Sequence, residues 1–155
     1  MGLRHDETLR LEVTRKYEAT AEMVFDAWLT PDWCHWLAPR DVTCTVLEMN
    51  PVKGGRYRLR MMMPEGRAVH IEGEYREISR PERLVLTWRR ENDPSDTVLT
   101  VQLTSEGHAT KLVLTQLGFE NTELRDRHIE GWGGTRGSLD KLAAYLHDRR
   151  QNHAA

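Results

Sequence analysis

The sequence predicts an α+β domain in which seven antiparallel strands surround one long C-terminal helix, with two short helices after the first strand. Three observations carry this. Apolar residues recur at every second position in seven segments, as strands with one face in a core require. One apolar stripe at steps of three or four runs from Leu124 to Leu146, the spacing of a single helix face. Clusters of Gly, Pro, Asn and Asp punctuate the strands as turn chemistry demands. The 155 residues, 39% apolar and 30% charged, suit one domain over 1–155 with an ordered core of about 9–149, and are too rich in core formers for disorder.

The first strand is Leu9, Leu11, Val13, Arg15 and Tyr17, alternating with Arg10, Glu12, Thr14 and Lys16. Thr20 then reads as an N-cap, and Ala21, Val24, Phe25 and Trp28 form one stripe of a short helix. Phe25 and Trp28 anchor that helix to the core. Thr30-Pro31 opens a second short helix through Trp33 and Trp36, and Ala38-Pro39-Arg40-Asp41 stops it. The second strand covers about 42–49, and Lys53-Gly54-Gly55 reverses the chain. In the third, Tyr57, Leu59, Met61 and Met63 share one face and Arg56, Arg58 and Arg60 the other. After Pro64-Glu65-Gly66 comes a strand over about 68–78, with Ile71, Gly73 and Tyr75 in phase. A fifth, over 84–90, puts Leu84, Leu86 and Trp88 on one face. The last pair, Leu99-Val101-Leu103 and Leu112-Leu114-Gln116, turns at Glu106-Gly107-His108. The remainder reads as a helix over about 123–149, with Leu124, His128, Trp132, Thr135, Leu139, Leu142 and Leu146 inward and a frayed tail from Gln151. Gly131, Gly133, Gly134 and Gly137 cost about 1 kcal/mol each in a helix interior. Either a close backbone approach or a break into two helices would explain them.

Net charge is −2, from 22 basic and 24 acidic residues dispersed without runs, which excludes the basic balance of a nucleic-acid binder. Cys34 and Cys44 rule out a four-cysteine zinc site, and two scattered thiols suit a reduced cytoplasmic protein, although one disulfide is possible. The N-terminus has no apolar run of signal length, Asp6 breaks the myristoylation pattern at Gly2, and nothing approaches a membrane span. A homodimer is allowed but not required.

Val24-Phe25-Asp26-Ala27-Trp28, Thr30-Pro31, Trp36 before Pro39, Gly54-Gly55, Gly73 with Tyr75, Thr87-Trp88 and His128 with Gly131-Trp132 together resemble the activator of heat-shock-protein-90 ATPase homologue-like family of the START-like (SRPBCC) superfamily. The resemblance runs from about Leu9 to Leu146. It implies the helix-grip fold, with a cavity between the concave face of the curved sheet and the last helix. Two departures are Ala19-Thr20-Ala21, where an Ala-Pro start is common, and the glycine-dense 131–137. The eukaryotic chaperone activators carry an additional N-terminal domain that makes most of the chaperone contact. Its absence from this sequence speaks against a chaperone partner here.

That fold converges Tyr57, Leu59, Met61, Met63, Ile71, Tyr75, Trp88, His128 and Trp132 on one interior, a set suited to a small apolar ligand. The plainer reading of each is core packing. Trp88 and Trp132 stand out because a buried indole N–H needs an acceptor that a ligand can supply. His128 could orient a ligand or move a proton, or simply bond a backbone carbonyl. Arg15 sits at an inward phase and needs a partner: a ligand carboxylate, a nearby Glu, or water reached by snorkelling. His70, Glu72 and Glu74 fall on the outer phase and read as solvated. Cys34-His35 is a poor metal pair, and Gly54-Gly55 is a hairpin rather than a phosphate loop. The sequence thus points to non-covalent binding of a small apolar molecule, with no catalytic residue, metal or cofactor. Its rivals are an aromatase/cyclase-type enzyme using His128 in the same cavity, and a protein-interaction module with an exposed apolar patch outside it, for instance around Trp33 and Trp36.

Overall fold

The computed structural model describes residues 9–154; the readings made on Gly2 and Asp6 lie outside them. Strand β1 (Arg10–Tyr17) is followed by helices α1 (Ala21–Asp26) and α2 (Trp33–Trp36). Then come β2 (Thr43–Met49), β3 (Arg56–Met62), β4 (Ala68–Ser79), β5 (Arg83–Arg90), β6 (Thr97–Glu106) and β7 (Ala109–Leu117). Helices α3 (Thr122–Gly133) and α4 (Ser138–Ala154) close the chain. The curved sheet has the order β1-β7-β6-β5-β4-β3-β2 and is antiparallel throughout. Six strands are successive hairpin neighbours. β1 and β2 are opposite edges, so α1 and α2 carry the chain across the sheet's full width.

Thr20 caps α1, its hydroxyl oxygen accepting from the Met23 N–H at 3.2 Å. Thr30 serves the next turn, taking the Asp32 N–H on its hydroxyl at 3.2 Å and the Trp33 N–H on its carbonyl at 2.9 Å. Alternation holds through the sheet: Tyr57, Leu59 and Met61 are buried while Arg56, Arg58 and Arg60 are exposed. Register sets Leu59 against Ile71 and Tyr57 against Gly73. Slipping by one residue would turn every apolar side chain to water. Gly73 is fixed by its neighbours: a β-carbon there would overlap the Thr87 carbonyl oxygen and lie 2.6 Å from the Tyr57 ring.

Phe25, Trp28, Trp33 and Trp36 are at most 1% exposed, so the two short helices are core elements. Trp28 touches Trp36 edge-on, with ring centroids 4.8 Å apart, and Trp36 donates its indole N–H to the Ala27 carbonyl at 3.2 Å. Trp33 and Trp36 are therefore core residues and form no exposed apolar patch.

Both explanations of the glycines apply, each to different residues. A β-carbon at Gly133 would meet Val13 of β1 at 3.1 Å, so the end of α3 lies close on the sheet. The helical segment is then interrupted between Gly133 and Ser138, and Thr135 is exposed rather than inward. A β-carbon at Gly137 would crowd the carbonyl oxygens of Gly131 and Gly134 at 2.8 Å. The C-terminal end does not fray from Gln151; α4 continues to Ala154. Cys34 of α2 and Cys44 of β2 form a disulfide with Cα atoms 5.0 Å apart, which corrects the expectation of two reduced thiols.

Candidate functional site

Between the concave sheet face and α3 lies a cavity of about 240 Å³, partly open to solvent. Its apolar wall comes from Met61 and Met63, Ile71 of β4, Leu124 of α3, and Leu37 and Val42 of the segment joining α2 to β2. Trp88 of β5 and Trp132 of α3 also line it. Their rings touch, with centroids 5.3 Å apart at 54°, yet the space beside them stays open.

A buried polar chain links the Trp132 indole to the backbone of Trp88. Trp132 donates its Nε1–H to Gln116 Oε1 at 2.9 Å, and Gln116 Nε2 donates to Thr97 Oγ1 at 2.8 Å. The Thr97 hydroxyl in turn donates to the Trp88 carbonyl at 2.7 Å. Trp132 is therefore satisfied by the protein, whereas Trp88 Nε1 is buried with no acceptor. The unpaired donor expected at both indoles exists at one.

His128 packs its ring on Phe119 at 4.9 Å, and its Nδ1 lies 2.9 Å from the Leu124 carbonyl oxygen. A carbonyl only accepts, so the proton sits on Nδ1 and Nε2 carries the free lone pair. Burial lowers the imidazole's proton affinity more than that bond restores it, keeping the ring neutral near pH 7.

The cavity's charged residues are Arg40, Arg90, Arg127 and Asp93. Asp93 is buried and accepts the Ser95 N–H at 2.7 Å. Arg127 lies 3.4 Å from Glu123 in an exposed pair. Arg90 continues the inward phase of Leu84, Leu86 and Trp88, and burial lowers its proton affinity, reinforced by nearby Arg67. The segment 37–42 that forms the rim is latched to the α3–α4 break. Lys141 donates to the carbonyls of Ala38 and Arg40 at 2.6 and 2.7 Å, and the Ser138 hydroxyl donates to that of Leu37.

Of the residues singled out in the sequence, Met61, Met63, Ile71, Trp88, His128 and Trp132 come together on the cavity. Tyr57, Leu59 and Tyr75 do not line it; they are at most 1% exposed inside the core. Tyr57 donates its hydroxyl proton to the Thr87 carbonyl. Arg15 pairs with no carboxylate among the described residues: its Nη2 donates to the Gly133 carbonyl at 2.8 Å, a cation at the C-terminus of α3 where the helix dipole favours one. His70 pairs with Glu91 at 3.0 Å away from the cavity.

A family model, the Activator of Hsp90 ATPase homolog 1-like protein, matches residues 18–147. The chain belongs to this family. Among solved structures, this Hsp90-activator-homolog-like chain is similar to a protein of Chromobacterium violaceum at 28% identity, covering 88% of this chain and 96% of that one with a TM-score of 0.82. A Rhodobacter sphaeroides protein is 26% identical over 91% and 94% of the two chains, with a TM-score of 0.76. The AHSA1 protein of Silicibacter pomeroyi, at 22% identity over 90% and 99% with a TM-score of 0.78, shares the fold. A search of curated proteins returns no match.

Three cavity or near-cavity residues of this Hsp90-activator-homolog-like protein escaped the sequence reading: Gln116, Thr97 and Arg90. Each had a signal, since a polar side chain at an inward strand phase must find a partner inside. No helix among the described residues is long and apolar enough to cross a membrane.

Proposed function

We propose that this member of the family binds a small, largely apolar molecule non-covalently in the cavity between β3–β5 and α3. The observation that carries the reading is the open, apolar-walled space of about 240 Å³ beside two indoles already in contact. Met61, Met63, Ile71, Trp88, His128 and Trp132 supply the contacts, with neither metal nor organic cofactor. At about 30 Å³ per molecule of water, the space equals roughly eight waters, so the guest has on the order of ten non-hydrogen atoms. Burying about 250 Å² of such a guest contributes roughly 6 kcal/mol at about 25 cal/mol per Å². That corresponds to a Kd of tens of micromolar before ordering costs.

A thermal-shift panel of small apolar acids, alcohols and aromatics tests this, because only binding to the native state raises Tm. At least one compound class should raise it, and Leu124→Trp, which fills the cavity, should remove the shift. A flat panel on the unmodified protein would overturn the reading.

One observation favours a second reading, a proton-moving enzyme of the cyclase type: neutral His128 and Asp93 line the same cavity. Here His128→Ala would abolish turnover of a bound polyketone. In the binding reading it weakens affinity by no more than about tenfold, since one hydrogen bond contributes about 1 kcal/mol.

A further inference from the structure

We propose that the natural guest carries a monoanionic, carboxylate-class head, held by Arg90 of β5 with Arg127 and Arg40 at the rim. The proposal rests on the binding reading above and adds the chemistry of one end of the guest. Three arginines line this small cavity against one acidic residue, Asp93, although Arg127 also pairs with exposed Glu123, and His128 adds no charge. The most telling is Arg90. Its position opposite Ile71 places it on the inward face of the strand that bears Trp88. It is half-buried and makes no direct ion pair among the described residues, although the carboxylates of Asp93 and Glu91 act on it at longer range. Asp93 comes close in sequence through the turn in which its N–H donates to the Arg90 carbonyl at 3.0 Å. Its own carboxylate accepts the Ser95 N–H and compensates Arg90 only in part, at longer range.

A half-buried guanidinium that makes no direct ion pair gains when a guest carboxylate reaches it, since its planar fork matches a carboxylate in two parallel hydrogen bonds. Asp93 sets the upper limit on charge, since a dianion beside it would be repelled. The apolar wall of Met61, Met63, Ile71, Leu37, Val42 and Leu124 then takes a short hydrocarbon tail.

The experiment compares octanoate, 1-octanol and octylamine by isothermal titration calorimetry at pH 7.5 on the unmodified chain and on Arg90→Met and Arg127→Gln, each checked for fold by circular dichroism. Octanoate should bind at least tenfold more tightly than 1-octanol, with octylamine weakest, because a charge-assisted pair exceeds a neutral bond by that margin. Arg90→Met should bring the octanoate-to-octanol ratio within about threefold. Arg127→Gln, on the exposed helix face, should lower the ratio partially and serves if Arg90→Met fails to fold. Equal binding of octanoate and 1-octanol would overturn the anionic head while leaving the apolar site standing. A preference for octanoate that survives both substitutions would also overturn it. No binding of any of the three would remove the head and the underlying site together.

Discussion

Replacing Gln116 by Leu tests whether the Trp132 indole is held by the buried polar chain. Gln116 is fully buried, and Trp132 and Thr97 are 3% and 2% exposed, so water cannot replace what the substitution removes. Trp132 Nε1–H loses its acceptor at 2.9 Å, and Thr97 Oγ1 loses a donor at 2.8 Å but keeps its own donation to the Trp88 carbonyl. An orphaned buried N–H costs about 1–3 kcal/mol, the half-satisfied hydroxyl less, and the added apolar burial of Leu offsets about 1. The net loss should be about 2 kcal/mol. At about 2.1 cal/mol/K per residue, a chain of 155 residues unfolds with roughly 0.33 kcal/mol/K, so Tm should fall by about 6 °C. Urea and thermal unfolding followed by circular dichroism measure both numbers. A double-mutant cycle with Trp132→Phe isolates the bond: Trp132→Phe should cost at least 1 kcal/mol less when Gln116 is already Leu. If Gln116→Leu changes stability by under 0.5 kcal/mol, or the two substitutions add without coupling, the chain does not hold Trp132 and the reasoning fails.

The Cys34–Cys44 bond, joining residues ten apart, should contribute roughly 3 kcal/mol by restricting the unfolded chain. Dithiothreitol should therefore lower the urea midpoint of the protein but not of a Cys34→Ser/Cys44→Ser variant, and identical midpoints would contradict it. Gly73→Ala should cost about 3 kcal/mol or more, since Thr87 is a backbone obstacle that cannot step aside; near-normal stability in denaturant would refute the close packing. His128 should titrate below its ordinary value of 6.5 because burial disfavours its charged form. The unfolded chain then binds the proton first, so this residue's influence on stability is absent above pH 6.5 and destabilising as pH falls below it. An imidazole NMR midpoint above 6.5 would reverse that sign.

The fold was legible because its signals were periodic. Alternation in β3, with Tyr57, Leu59 and Met61 inward and the arginines outward, is dictated by backbone geometry alone, and so was visible without partners. The α3–α4 break was half-legible: four glycines demanded a reason, but whether they served a close approach or an interruption depended on Val13 and on the carbonyls of Gly131 and Gly134, which only the fold supplies. The disulfide was illegible for the same reason, since nothing in sequence brings α2 against β2. Periodicity also overreached at the site. It assigned Tyr57, Leu59 and Tyr75 to the cavity with Met61 and Ile71, because parity gives a face and not a depth. Only the position of α3 above the sheet decides which inward residues meet open space.

What separates core from site in this protein is the fate of polar groups at inward positions, rather than the apolar residues both share. Arg15, Gln116, Thr97 and Arg90 all occupy such positions, and sequence alone ranks them equally. Arg15 is satisfied by the last carbonyl of α3, Gln116 by Trp132 and Thr97, and Thr97 by the Trp88 carbonyl. Those three lock the sheet to the helix. Arg90, at the end of the same strand face as Trp88, makes no comparable direct bond among the described residues; Asp93 and Glu91 act on it only at longer range. A half-buried cation without a direct ion pair beside an open cavity is costly in an empty protein and becomes favourable when an acceptor arrives. The β5 end of the cavity is therefore where a guest's polar atoms would gain most, and the methionine-lined wall opposite is where its hydrocarbon would lie.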